Sequence, residues 1–166
     1  MALREIITLP HPTLRRKAHK VTDFGPELQT VVDDMVETMR QAPGVGLAAT
    51  QVNVPLRIIV VEYGSEEDEE APKKLYIVIN PEITRPSPET VLGTEGCLSV
   101  PGIVGEVERV EALTVKGLSR RGQPITIKAK GWLARIFQHE IDHLDGIVFV
   151  DRVTRVWSGQ EGQVSA

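Results

Sequence analysis

The chain predicts an α+β fold: mainly antiparallel β-sheets packed around a central helix that bears an HExxH pattern, with another helix near the N-terminus. Three observations carry that expectation. Apolar residues recur at helical spacing in two stretches, Pro26 to Gln41 and Gly131 to Leu144. Several short Ile- and Val-rich runs are separated by turn-forming residues. These runs share hairpins and come before the second helix, an order that fits antiparallel pairing.

Each element has its own signal. Pro10-His11-Pro12 reads as an extended or turning segment. Pro26 opens the first helix, where its missing N–H does no harm, and Leu28, Val31, Val32, Met35 and Met39 form the buried stripe. Pro43-Gly44 ends it. Leu56 to Val61 and Leu75 to Asn80 read as strands. The connector between them, Gly64 to Lys74, carries Glu66, Glu67, Asp68, Glu69 and Glu70, an acidic run expected to be a solvated hairpin tip without chemistry. Further strands are expected at Val104 to Val110, Leu113 to Leu118 and Pro124 to Ala129, the last two turning at Arg121-Gly122. In the second helix Trp132, Leu133, Ile136, Phe137, Ile141 and Leu144 supply the apolar stripe, and Gly146 marks its stop. A short apolar stretch follows at Ile147 to Val150. The tail, 153–166, has no helical period and is expected to be loose.

Length and composition limit the rest. With 166 residues, 41% hydrophobic and 25% charged, the chain suits a single domain, 1–166, with a substantial core. Its net charge of −4 gives no global field for nucleic acid, and there is no nucleic-acid motif; Arg15-Arg16-Lys17 and Arg120-Arg121 are short clusters that read as solvated turns and helix ends. No apolar run is long enough to span a membrane, and no secretory signal or transit-like stretch opens the chain. One cysteine, Cys97, cannot staple a fold and fits a reducing compartment.

Chemistry concentrates in three places. His139 and His143 lie four residues apart on the second helix, so both imidazoles can reach one metal ion while Glu140 projects toward a water on it. A helix carrying two hydrogen-bonded histidines is the plainer alternative. A catalytic site normally takes a third protein ligand. Downstream of His143 there is no further His, and Asp145 and Asp151 follow too closely to turn back easily, so a protease-type ligand set is poorly supported. Upstream, Cys97 offers a soft thiolate, and Gly96 beside it permits a backbone that would aim the sulfur and expose the next amide, that of Leu98. A buried inert cysteine is the competing interpretation. Gly44 to Gln51 superficially matches a dinucleotide fingerprint, but a helix precedes it and a strand follows, the reverse of what that fingerprint needs. Its small residues suggest close backbone approach, with Gln51 as a neutral donor.

GVGLAATQ (Gly44 to Gln51), EGCLS (Glu95 to Ser99) and QHEIDH (Gln138 to His143), in this order and at these separations, closely resemble the three signature motifs of peptide deformylases. The likeness extends to Ile7-Thr8-Leu9-Pro10 with Leu14-Arg15, Val32-Asp33-Asp34-Met35, Arg57-Ile58-Ile59-Val60 and Ile79-Asn80-Pro81, and spans a core of residues 4–152. It implies a metal-dependent hydrolase that removes the formyl group from N-formylmethionine on nascent peptides and releases formate. It implies Cys97, His139 and His143 as metal ligands, Glu140 as general base, and Gln51 with the Leu98 amide as oxyanion donors. Fe(II) is the implied metal, with Zn(II), Ni(II) or Co(II) as substitutes.

The same resemblance places the methionine pocket at Val45, Glu95, Trp132, Arg135 and Ile136, with the aliphatic stem of Arg135 along the wall and its head turned to solvent. The peptide backbone is expected to add to an edge around Gly44 to Gly46 and Gly102 to Val104. Asp142 is expected to orient an imidazole or to pair with an arginine such as Arg109. The expected setting is a bacterial cytoplasm, although a processed organelle form would read the same. The tail lacks the basic C-terminal helix that some members use for ribosome docking, which leaves only a transient ribosome encounter by another surface. Two rivals stand beside this reading: an endopeptidase, favoured by HExxH alone, and a silent binder of nascent N-termini, which would be expected to have lost Glu140 or a ligand.

Overall fold

Strand β2 (Ile58–Tyr63) shows how the sequence builds the architecture. Ile58 and Val60 enter one apolar cluster while Ile59 and Val61 enter another, as the two-residue period of a strand dictates. A strand covered on both faces reads as an unbroken apolar run, and Ile58-Ile59-Val60-Val61 is such a run.

The computed structural model describes residues 2–65, 68 and 70–158. It places β2 with β1 (Gly46–Ala48), β3 (Lys74–Thr84), β6 (Ala112–Leu118) and β7 (Pro124–Lys130). Together they form a five-stranded sheet of order β1-β2-β3-β6-β7, antiparallel throughout. Helix α1 (Pro26–Gln41) covers one face through Leu28, Val32, Met35 and Met39. Helix α2 (Gly131–Leu144) covers the other through Phe137, Ile141 and Leu144. A second sheet, of order β4-β5-β8, contains β4 (Thr90–Cys97), β5 (Val100–Val110) and β8 (Val153–Ser158). Its inward face carries Cys97, Val100 and Val107, which pack with Val148 and Phe149. Helix α2 contacts both sheets. The predicted α+β layout with a central HExxH helix is therefore the one observed.

Both helices have the expected limits, and the hairpins β2–β3 and β6–β7 form where the alternating runs lie. Strand β5 starts at Val100 rather than Val104 because it extends its pairing with β4. The expected loose tail needs correction. Val153–Ser158 is strand β8, with Val156 opposite Gly105 and Trp157 opposite Val104. The absence of a helical period does not leave a segment loose when an open strand edge can take it up. Residues 159–166, the rest of that tail, lie outside the described residues, as do Glu66, Glu67 and Glu69 of the acidic connector.

The C-terminal end of α2 is anchored by distant chain. The Leu144 carbonyl accepts from the Ala18 amide at 2.7 Å and from Arg57 Nη1 at 2.9 Å. These bonds satisfy one of the carbonyls that a helix end leaves free. The chain then turns at Gly146, whose φ is +77° and whose Cα faces the Arg15 carbonyl so closely that a Cβ would lie 2.7 Å from its oxygen. Both the backbone angle and the space require glycine. Gly146→Ala is expected to lower stability by about 1–3 kcal/mol. That loss should appear as a lower urea midpoint at unchanged slope.

Candidate metal centre

Helix α2 sets His139 and His143 one turn apart, with ring centroids 5.1 Å from each other. His139 also stacks on Phe149, centroid to centroid 6.1 Å. The third group arrives from the small sheet. The register between β4 and β5 shifts between Gly96 and Cys97, a bulge that re-aims the cysteine side chain toward the helix. The unusual backbone expected at Gly96 takes this form rather than a left-handed φ.

The structure thus gathers Cys97, His139 and His143, all buried, with one ligand atom from each within 4.8 Å of the others. Cys97 Sγ lies 3.4 Å from His143 Nε2. A tetrahedral site with bonds of about 2.0–2.3 Å separates its ligand atoms by roughly 3.6 Å, so this set needs little adjustment to close on a cation. Polar bookkeeping agrees. His139 Nε2 and both carboxylate oxygens of Glu140 are buried, with no hydrogen-bond partner among the described residues. Buried polar atoms are rarely left this way unless a ligand or ion completes them. The residues present fit a divalent cation.

Glu95 organises what surrounds the ligands. Its carboxylate is fully buried and faces His139 Nδ1 at 2.9 Å, which places the imidazole proton on Nδ1 and leaves Nε2 as the free electron pair. Arg109 donates to it twice, at 2.8 and 2.9 Å, and Arg135 Nη1 donates at 2.6 Å. Arg109 also reaches Asp142 at 2.7 Å, so of the two roles open to Asp142 the arginine pairing is the one realised. Gln51 is held at both ends of its side chain: its Oε1 accepts from the Ala48 amide at 3.0 Å, while Nε2 donates to Ser99 Oγ at 3.2 Å and to Cys97 Sγ at 3.6 Å.

Protonation follows these contacts. Burial opposes ionisation of Glu95, yet Arg109 and His139 together hold its carboxyl far below the usual carboxylate range. Burial also raises Arg109's resistance to charge, and the Glu95 and Asp142 carboxylates reverse it, so its pKa ends above the ordinary value. Burial disfavours charge on both histidines. Cys97 and Glu95 overcome it at His139 and raise its pKa, whereas burial and the neighbouring His139 keep His143 low. Burial pushes Glu140 up to about 7; a bound cation would act in the opposite sense.

Glu95 is fully buried and serves as the acceptor beneath His139. Arg135 does not turn its head to solvent. Its guanidinium is buried on Glu95 and on the carbonyls of Val91 and Val107, because a buried carboxylate attracts the charge more strongly than open water at this position. Ile136 is fully buried in the cluster under the larger sheet, since it lies about 60° round the helix from His139. Val45 and Trp132 remain partly exposed at the rim of that cluster. The expected edge at Gly102 to Val104 is also corrected: Ile103 and Val104 already pair with β8. Gly46 lies in β1, an edge strand, and a Cβ there would meet Glu140 Oε2 at 2.6 Å.

Arg109 and Glu95 could have been recognised as partners in the sequence only through strand alternation. Glu95 shares the β4 face of Cys97, and Arg109 shares the β5 face of Val107. Ser99, which receives the Gln51 amide, carried no signal beyond its place in the EGCLS motif.

In sequence and in fold the chain is similar to peptide deformylases. A family model described as polypeptide deformylase matches residues 3–157. The peptide deformylase of Symbiobacterium thermophilum is 50% identical over 156 residues, covering 94% of this chain and 69% of that one. That of Desulforudis audaxviator is 45% identical over 161 residues, covering 97% and 100%. Among solved structures, peptide deformylase from Ehrlichia chaffeensis in complex with actinonin superposes with a TM-score of 0.86 at 42% identity, over 93% of this chain and 90% of that chain. The enzyme from Thermotoga maritima gives 0.85 at 39% identity, over 93% and 99%.

Removing the charge at Glu95 tests the network. Glu95→Gln leaves two buried guanidinium groups short of their anion and is expected to cost about 3–5 kcal/mol of folding stability. The midpoint of denaturant unfolding, read on metal-free protein, checks it.

Proposed function

The chain belongs to the polypeptide deformylase family, and we propose that its hydrolytic chemistry is carried by Cys97, His139, His143 and Glu140 at the junction of the two sheets. The reaction of the family is removal of the formyl group from the N-terminal N-formylmethionine of newly made polypeptides, with release of formate. The observation that carries the residue assignment is the convergence of three ligand atoms within 4.8 Å beside a buried, unpartnered carboxylate.

Cys97 Sγ, His139 Nε2 and His143 Nε2 would hold one divalent cation. When bound, it supplies Lewis acidity, polarising a carbonyl and acidifying water at neutral pH. Fe(II) is our assignment for it, because a mixed thiolate and imidazole set in a reducing compartment suits that ion, with Zn(II), Ni(II) and Co(II) as substitutes. Glu140 takes a proton from the attacking water and delivers one to the departing amine nitrogen as the formyl C–N bond breaks. Its burial, its two free oxygens and its place between the histidines support that role. Gly46 keeps β1 close to the carboxylate without contesting its space. The Gln51 side-chain amide and the Leu98 backbone N–H stabilise the developing oxyanion, each worth about 2.7–4 kcal/mol when well aimed. The Ala48 amide fixes Gln51 Oε1, and one N–H of its Nε2, now directed at Ser99 Oγ and Cys97 Sγ, turns to the oxyanion.

Recognition reads main chain. Gly44, Val45 and Gly46 lead into β1, which among the described residues pairs only with β2, and the incoming peptide adds along its other side. Val45 and Trp132, at the rim of the core, are the apolar walls we retain for the methionine side chain. Transient meeting with the ribosome in a bacterial cytoplasm fits a substrate that arises there. No helix among the described residues is long and apolar enough to cross a membrane.

Formate release from a formyl-Met-Ala peptide under anaerobic Fe(II) loading tests the reading. Glu140→Gln should retain stoichiometric metal yet lose about 100-fold or more in kcat. Cys97→Ala should lose the metal itself. Gly46→Ala should keep the metal and lose turnover, because its methyl group displaces the carboxylate. Equal rates in Glu140→Gln and the parent protein would remove Glu140 from the reaction.

A further inference from the structure

Arg135 and Gly93 form a pair that the catalytic assignment does not use. On β4, Gly93 precedes Glu95 by two residues and so shares its face. A Cβ at Gly93 would lie 2.7 Å from the guanidinium carbon of Arg135 and 2.8 and 2.9 Å from Nη2 and Nε. The guanidinium occupies that space with its donors committed: Nη1 to Glu95 Oε2 at 2.6 Å and to the Val107 carbonyl at 2.9 Å, and Nη2 to the Val91 carbonyl at 2.7 Å. One side chain on α2 thus fixes the buried carboxylate and grips both strands of the β4–β5 hairpin. Arg109 is not equivalent, because it divides its charge between Glu95 and Asp142, whereas among the described residues Arg135 forms an ion pair with Glu95 alone.

We propose that Arg135, seated in the space left by Gly93, is a positioning residue for the cation site: it fixes the Glu95 carboxylate so that His139 keeps its proton on Nδ1 and presents Nε2 to the metal. The inference rests on the assignment of Cys97, His139 and His143 as ligands. A planar fork is needed for it, since the guanidinium serves three acceptors lying in different directions. Lysine at this position has the charge but lacks the fixed geometry.

The test is Co(II) titration of metal-free protein, followed by the sulfur-to-metal charge-transfer absorption, with chelator competition for the dissociation rate. Arg135→Met and Gly93→Ala should each weaken Co(II) binding by about 10–100-fold. Arg135→Lys should recover only part of that loss. At saturating metal the KM for a formyl-Met peptide should stay within about twofold of the parent value, because ground-state binding is untouched. The double variant should be no weaker than Arg135→Met, since the added methyl group acts only by displacing the guanidinium. If Arg135→Met does not fold, Gly93→Ala keeps the arginine and carries the test. Unchanged Co(II) affinity in the folded variants overturns the inference. So does a raised KM at unchanged affinity, which would make Arg135 a pocket wall. Failure of the parent protein to show the sulfur band is a separate result: it sinks the ligand assignment itself, and the inference with it.

Discussion

A single buried carboxylate, Glu95, holds the centre of this molecule together. It accepts from Arg109, Arg135 and His139, groups that come from β5 and α2, while standing on β4 itself. An isolated ion so placed would cost several kcal/mol to bury, so its three partners are a condition of its presence. The same bonds that satisfy the charge also set the orientation of one imidazole. Stability and ligand geometry are therefore tied to one group, and neither can drift without the other.

Helix α2 meets two demands at once. One side must be apolar to seal the larger sheet; the other must carry charged and metal-binding groups toward the smaller one. The helical period separates them: Phe137, Ile141 and Leu144 face the core cluster, while Arg135, His139 and Asp142 join the polar network. Its far end is held by Ala18 and Arg57, residues remote in sequence, which fixes where the helix lies along its own axis. Close approach of β1 completes the arrangement, and Gly46 is what allows it, as the adjacent Glu140 carboxylate leaves no room for a side chain.

Legibility in the sequence followed the strength of local periodicity. Helices α1 and α2 were readable to their end residues because apolar spacing and Pro or Gly punctuation coincide. The hairpin strands were readable for the same reason. Strands β1, β4 and β8 were not. Gly46–Ala48 is too short to show a period, Thr90–Cys97 is interrupted by Gly93 and Gly96, and Val153–Ser158 becomes a strand only because β5 offers it an edge. At the site, the ligand types were legible, while the burial of the Arg135 head and the partners of Glu95 were not. Glu95 and Arg135 occupy positions that local reasoning assigns to a wall, and they bond to each other between β4 and α2.

The order of residues by itself determined which chemistry is available: one thiol, two imidazoles at helical spacing with a carboxylate between them, and three motifs whose combination marks a family. Those facts are local, set by composition and by the pitch of a helix. Only the tertiary structure decided which charged groups face one another. Glu95 meets Arg109 across a strand pair and His139 across a helix and a sheet, contacts separated by 14 and 44 positions in the chain. Such partnerships depend on strand register and on the angle at which α2 crosses the sheets, and both are settled by packing over the whole molecule rather than by any short run of sequence.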